Sequence, residues 1–347
     1  MPTIGDAISR RAVLKAAGAS AVAGAGAGAV INTGRATSSD WSEQSTPIEK
    51  SLYDVVYTTD GPYAVGNGGY VLGRNGGSWE IEVSNGPNNS GNPLHSVDVT
   101  DDGKRIYFAG GSGALGAYDV EEGIKYDYTA PDGKTSTWEG IAVSGDVEQE
   151  QLIVANGSGE TMDAQRQEDE DGNMCLVWGD VTEPAGGSTI PELDFAGDDP
   201  NRCRGISTSQ QVFESTDLND TWADIGVDDA QETFYDITGS TDVVYVAAGS
   251  GTIYRRDCDC GVWTPIDAGS NALLGIDRFY DGSEEEIMAS AGGGYVYERT
   301  SDGWVEMETP VTADLYGVAL PTADFLSSIP EKVDVAVGSS GKVVERA

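Results

Sequence analysis

The sequence predicts an all-β fold: a seven-bladed β-propeller of four-stranded antiparallel blades, its ring closed by an N-terminal strand. Three observations carry this. An apolar–glycine–apolar phrase recurs seven times, centred on Gly66, Gly110, Asn156, Ser207, Ala248, Ala291 and Gly338, at spacings of 44, 46, 51, 41, 43 and 47 residues. Each copy holds four short β-branched or aromatic runs parted by Gly, Asp and Asn turns, the pattern of four antiparallel strands. The last copy stops at Ala347 after its third run, while an unassigned Trp-bearing run, Asp40-Trp41-Ser42-Glu43, precedes the first. Pairing these two ends completes blade 7 and removes an exposed sheet edge.

Within a copy the first run is Leu52-Tyr53-Asp54-Val55, Leu94-His95-Ser96-Val97, Trp138-Glu139-Gly140-Ile141, Phe234-Tyr235-Asp236-Ile237, Leu273-Leu274-Gly275-Ile276 or Leu315-Tyr316-Gly317-Val318. The fourth copy is degenerate there, and Ile190–Phe195 is its candidate. A second run, such as Ile106-Tyr107-Phe108-Ala109, enters the Gly-rich turn. Glycines there supply the positive φ that a tight hairpin needs. A third run, such as Thr252-Ile253-Tyr254-Arg255, leaves the turn, and a Trp commonly marks the fourth: Trp79, Trp178, Trp222, Trp263 or Trp304. The copies lie near 52–83, 94–128, 138–182, 188–226, 233–267, 273–307 and 315–347, the last completed by 40–48. About 45 residues per four-stranded unit is the size of a propeller blade.

Ahead of the repeats, Ser9-Arg10-Arg11-Ala12-Val13-Leu14-Lys15 and the Ala/Gly-rich run Ala16–Ile31 resemble a twin-arginine export signal, with small residues for cleavage near Ala27-Gly28-Ala29. The reading is a signal over residues 1–29, a linker over 30–39 and a propeller over 40–347, exported and secreted or held at the cell surface. No Cys precedes Cys175, which argues against a lipid anchor, and no later stretch is long and apolar enough to span a bilayer.

The chain carries 58 acidic and 20 basic residues in 347, a net charge of −38, spread along its length. A uniformly acidic skin suits a protein kept soluble in strong brine, where salt screens self-repulsion over about 3 Å at 1 M. The source implied is an extreme halophile, a haloarchaeon. Sequence-independent binding to nucleic acid needs a basic footprint and is excluded.

At Ser215-Thr216-Asp217-Leu218-Asn219-Asp220-Thr221-Trp222 the chain resembles the Asp-box S-x-D-x-G-x-T-W, with Asn219 at the Gly position; Asp302-Gly303-Trp304 and Asn75-Gly76-Gly77-Ser78-Trp79 are eroded versions. The phrasing of residues 40–347 is similar to the sialidase/Asp-box propeller superfamily, in the flavour of photosystem II stability/assembly-factor repeats. The resemblance implies the fold and little about function, because propellers host many activities. It gives Asp217 and Trp222 a folding role.

In a propeller the first strands line the central channel. This places Tyr53, His95, Glu139, Tyr235, Leu274 and Tyr316 at its mouth, with Asp54, Ser96, Gly140, Asp236, Gly275 and Gly317 one step further in. Tyr faces stack a sugar or peptide, and Glu139 and the chain's one His bond to it. The candidate ligand-binding residues are therefore Tyr53, Asp54, His95, Glu139, Tyr235, Asp236 and Tyr316. Arg74, Arg256, Arg299 and Arg346 recur at the end of the third strand, away from this mouth, so the arginine grip of a sialidase is not formed there. No nucleophile elbow, Walker loop or HExxH occurs. Glu168–Asn173 fails the calcium-loop template, because Gln167 takes its first ligand position. No catalytic residue, metal or cofactor is assigned.

Two readings follow. The first is a non-catalytic, monomeric binding or assembly propeller with a protein or glycan ligand. The second is an extracellular carbohydrate-active hydrolase or lyase working through channel-mouth carboxylates. Outside a cell, Cys175 and Cys203 have the spacing to close a loop, beside Cys258 and Cys260. Sequons stand at Asn88, Asn156 and Asn219, Asn88 in the most open loop.

Overall fold

The computed structural model describes residues 40–347 apart from 169–173, 198, 228, 281–284, 322–328, 330 and 331. The expected signal and linker, and the tip of the acidic insertion, lie outside the described residues. Within them are seven antiparallel sheets of four strands, in simple meander order. The innermost strands are Leu52–Thr58, Leu94–Val99, Trp138–Ser144, Glu192–Phe195, Phe234–Gly239, Leu273–Tyr280 and Leu315–Ala319. Among the described residues no α-helix is present, and no helix is long and apolar enough to cross a membrane.

Blade 7 closes as the repeat count predicts. Ser42–Gln44 pairs antiparallel with Val343–Arg346, Ser42 opposite Glu345 and Gln44 opposite Val343. Trp41 then enters the seam between blades 6 and 7, beside Met288, Val296, Leu315 and Val344. The Arg346 guanidinium lies 5.5 Å from its ring centroid. One side chain thus anchors the closing strand by area and by cation–π attraction.

The core is divided among the seams, because each sheet buries both faces against its neighbours. Between blades 7 and 1, Leu52, Val55, Leu72 and Trp79 meet Val335, Val337 and Val343. Between blades 2 and 3, Tyr107, Leu115 and Ala117 meet Trp138, Ile141 and Leu152. Fully burying one such aliphatic side chain is worth about 1.5–3 kcal/mol. Two-sided burial explains why the second strands are mainly apolar rather than alternating: Arg105–Gly110 and Val243–Ala248 are buried at every residue, and Arg105 is the one charged residue of these two strands.

The recurrent glycines pack turn against strand. A Cβ on Gly110 would stand 2.0 Å from the Pro93 carbonyl oxygen. Gly251, at φ +69°, leaves a Cβ 2.2 Å from the Gly269 oxygen. In the blade 4 hairpin, Asp217 accepts from the Ser215 hydroxyl (2.8 Å), the Thr221 N–H (2.9 Å) and the Thr221 hydroxyl (2.6 Å). The Thr221 bonds above all hold its carboxyl below the usual carboxylate range. Trp222 packs edge-on against Phe213 at 5.4 Å.

Buried ion pairs link blades away from the mouth. Glu150, fully buried, accepts from Arg105 (2.8 Å), Arg166 (3.0 Å) and Tyr107 (3.0 Å). Of the recurrent arginines, Arg74 pairs with Glu345, Arg299 with Glu285, and Arg346 with Glu298 and Asp334.

No disulfide joins any of the four cysteines, so Cys175 and Cys203 do not close a loop; Cys203 is buried in its strand while Cys175 sits on the long outer strand of blade 3. Asn156 and Asn219 are buried and bonded inside turns, and Asn88 is half-buried.

Candidate functional site: the channel mouth

Side chains in a regular strand alternate between faces. Consecutive residues such as Tyr53 and Asp54 should therefore point oppositely. In blade 1 they do not, because the register jumps: Leu52 pairs with Gly66 and Asp54 with Val65, leaving Tyr53 as an extra residue. The same bulge falls at His95, Glu139, Tyr235, Leu274 and Tyr316. A bulge re-aims one side chain. Six blades use it to turn one side chain each toward the mouth, and blade 4 contributes Pro191 at the matching place.

The result is a cup of about 340 Å³. Its wall contains every rim residue expected from the sequence, and its floor is Asp54, Asp236 and Glu192. Tyr53 is the middle of an aromatic arc, its ring centroid 5.7 Å from both His95 and Tyr316. His95 Nδ1 lies 2.6 Å from Glu139 Oε2, joining blades 2 and 3 across the rim. The Ser339 hydroxyl donates to the Tyr316 hydroxyl at 2.9 Å, and Tyr235 stands 37% exposed.

Glu192 was missed. Its signal was present: the offset that places Asp54 after Leu52 places Glu192 after Ile190, but Pro191 disguises the copy. Two more acids, Asp98 and Asp277, lie deeper, where a chamber of about 80 Å³ is lined by all five carboxylates.

These acids are built into the seams. Asp54 accepts the N–H of Val55 and, from the next blade, that of Val97, both at 2.8 Å. Asp98 does the same for Val99 (2.8 Å) and Val143 (2.7 Å). Asp236 serves Ile237 (2.7 Å) and Ile276 (2.6 Å), and Asp277 serves Arg278 (2.7 Å) and Leu320 (2.8 Å). Ser96 accepts from Ile141 N–H at 3.2 Å and donates to Glu192. Where neither acid nor Ser stands, glycine lets the strands touch: a Cβ on Gly317 would lie 3.0 Å from Asp54 Cα.

The floor is electrostatically loaded. Burial, above all, pushes the Asp54 carboxyl up to about 7; the N–H donors of Val97 and Val55 oppose this, and the charges of Asp98 and Asp277 add to it. Burial and the charges of Asp54 and Asp236 raise Glu192 well above its ordinary value. Asp236 is raised by burial and by Asp54 and Asp277, against its own N–H donors. Among the described residues no cluster of three or more His, Cys, Asp or Glu has the arrangement of a metal site.

The ring of seven meander sheets defines the class of protein: a seven-bladed β-propeller. No family model matches the chain, and no curated protein matches it. Solved structures do. The chain is similar to YCF48 bound to D1 peptide, with TM-score 0.65 and 13% identity over 90% of this chain and 98% of that one. It is similar to the WD40 β-propeller domain of Doa1, with TM-score 0.64 and 11% identity over 88% and 94% of the two chains. It is also similar to a chain of the mitotic checkpoint complex, with TM-score 0.64 and 13% identity over 96% and 99%. At such identities the likeness speaks to the fold.

Proposed function

We propose that this chain is an exported, salt-adapted propeller that binds a protein segment or glycan at its channel mouth and does no chemistry on it. One observation carries the reading: six strand bulges each turn a side chain toward one shared cup. A bulge interrupts a ladder of backbone hydrogen bonds, and its repetition around the ring builds a surface that bare strand packing does not need. The YCF48 likeness supports it by example, since that propeller holds a peptide.

The hydrolase reading requires a carboxyl pair free to act on substrate. Both oxygens of Asp54 and of Asp236 already accept backbone N–H groups, one from the following residue and one across a seam. Glu139 is held by His95. These are the bonds of structural acids. Export rests on the twin-arginine segment, salt adaptation on the −38 net charge, and the molecule acts as a monomer in this proposal.

The test is a peptide and glycan array probed in molar KCl with the protein and with Tyr235→Ala and Tyr316→Ala. Ligands that bind the parent and lose both variants support the cup. Ligands indifferent to both changes, or turnover of a glycan, overturn it.

A further inference from the structure

The cup's wall and floor differ in chemistry, and the difference selects a ligand. Accepting the mouth as a binding cup, we propose that its occupant is a primary ammonium on an alkyl stem: a lysine side chain of a partner protein.

The wall is aromatic on two sides. Tyr316 and Tyr53, from blades 7 and 1, stand together with rings tilted by 45°. Tyr235 comes from blade 5, separated from that pair by blade 6 on one side and blades 2 to 4 on the other. Ring faces attract a cation and accept the apolar stem that carries it. The floor is made of carboxylates, acceptor groups when ionised. Among the described residues no Lys or Arg lines the cup, and His95, the one basic side chain among them there, is engaged with Glu139. Asp54, Glu192 and Asp236 line both the cup and the chamber below, so acceptor oxygens are gathered along the axis and the field of any that ionise is focused there.

Other ligands fit less well. An anion meets three buried acids. A neutral sugar brings donors but no charge to meet that floor. A guanidinium wants both oxygens of one carboxylate, and at Asp54 and Asp236 both oxygens already accept N–H groups, one from the following residue and one from the next blade. An ammonium is a point charge with three donors, able to take remaining lone pairs from several acids at once.

The floor's charge grows through neutral pH as Asp54 ionises among Asp98, Glu192, Asp236, Asp277 and Arg278, all of which line the same chamber, with Tyr53 and His95 above it. Lysine affinity should therefore rise from pH 6 to pH 8.

The experiment is calorimetric titration of the whole protein, in fixed KCl, with the peptide acetyl-Gly-Gly-Lys-Gly-Gly-amide, its acetyl-lysine form and its arginine form. The expected result is a preference of about tenfold or more for lysine over acetyl-lysine, lysine ahead of arginine, and a similar loss in Tyr235→Ala. Asp236→Asn should weaken lysine binding too. Should that variant not fold, Tyr235→Ala and Glu139→Gln, which change partly exposed rim side chains, carry the test. Equal binding of lysine and acetyl-lysine overturns the ammonium proposal. A neutral sugar or peptide that needs Tyr235 while lysine does not bind overturns it too, but leaves the cup standing. If no ligand binding depends on the rim, both fall.

Discussion

Asp54 Oδ2 accepts the N–H of Val97 at 2.8 Å, tying the inner strand of blade 1 to that of blade 2 at the floor of the cup. The carboxyl that makes this bond is the one burial pushes up to about 7. A carboxyl raised in the folded state binds its proton there more tightly than in the unfolded chain. Stability from this group is therefore lost as pH rises from about 4 to about 7, on the order of 4 kcal/mol for a group this buried. Asp54→Asn removes the titration while keeping one acceptor oxygen. Urea unfolding of both proteins at pH 5 and pH 8 in fixed KCl should show the variant gaining on the parent as pH rises. A gap that stays constant contradicts the assignment.

Ring closure depends on Trp41, buried between blades 6 and 7. Trp41→Ala removes a large aromatic side chain and the partner of Arg346, at a cost of about 3–5 kcal/mol. Thermal unfolding should show a fall of several degrees, with early proteolysis near residues 42–44. An unchanged transition would mean that the closing strand is dispensable.

Glu150 is fully buried and holds two guanidiniums, those of Arg105 and Arg166. Removing one partner of a buried ionic cluster strands the others. Glu150→Ala should cost about 3–5 kcal/mol in chemical unfolding, and added KCl should not restore it, because buried pairs are poorly screened. Full rescue by salt would show that the cluster is solvated.

A net charge of −38 makes the compact state self-repulsive in dilute buffer. Salt at molar concentration shortens the screening length to about 3 Å. The unfolding temperature is expected to climb steadily between 0.1 and 3 M KCl, concentrations chosen to span about 10 Å to less than about 3 Å of screening. A flat or falling profile by differential scanning fluorimetry would remove the case for salt adaptation.

Much of this could be read from the residues. The Gly-rich phrase recurs because its turn meets neighbouring backbone at close range: a Cβ would stand 2.0 Å from the Pro93 oxygen at Gly110, 2.2 Å from the Gly269 oxygen at Gly251 and 2.0 Å from the Val311 oxygen at Gly294. The orphan Trp41 was legible for the same reason, since a ring with equivalent seams needs an equivalent strand. The rim residues followed from their place in the copies. What the pattern hid was how Tyr53 and Asp54, neighbours in the chain, come to line one cavity: a bulge is a register event between two strands and leaves no mark in either alone. Glu192 was masked by Pro191 and by the degenerate fourth copy. Asp98 and Asp277 look like ordinary surface acids in so acidic a chain. Only the convergence of inner strands makes them a buried set. The cysteines were misleading because spacing says nothing about where side chains sit.

Three tyrosine rings line the cup, and they report on its occupancy. In a protein carrying ¹³C-labelled tyrosine, with signals assigned by single Tyr→Phe changes, a ligand taken from the arrays is titrated while ring resonances are followed. Shifts are expected to be confined to Tyr53, Tyr235 and Tyr316, with Tyr70 and Tyr126 unmoved. Saturable binding that leaves those three rings unchanged would contradict it.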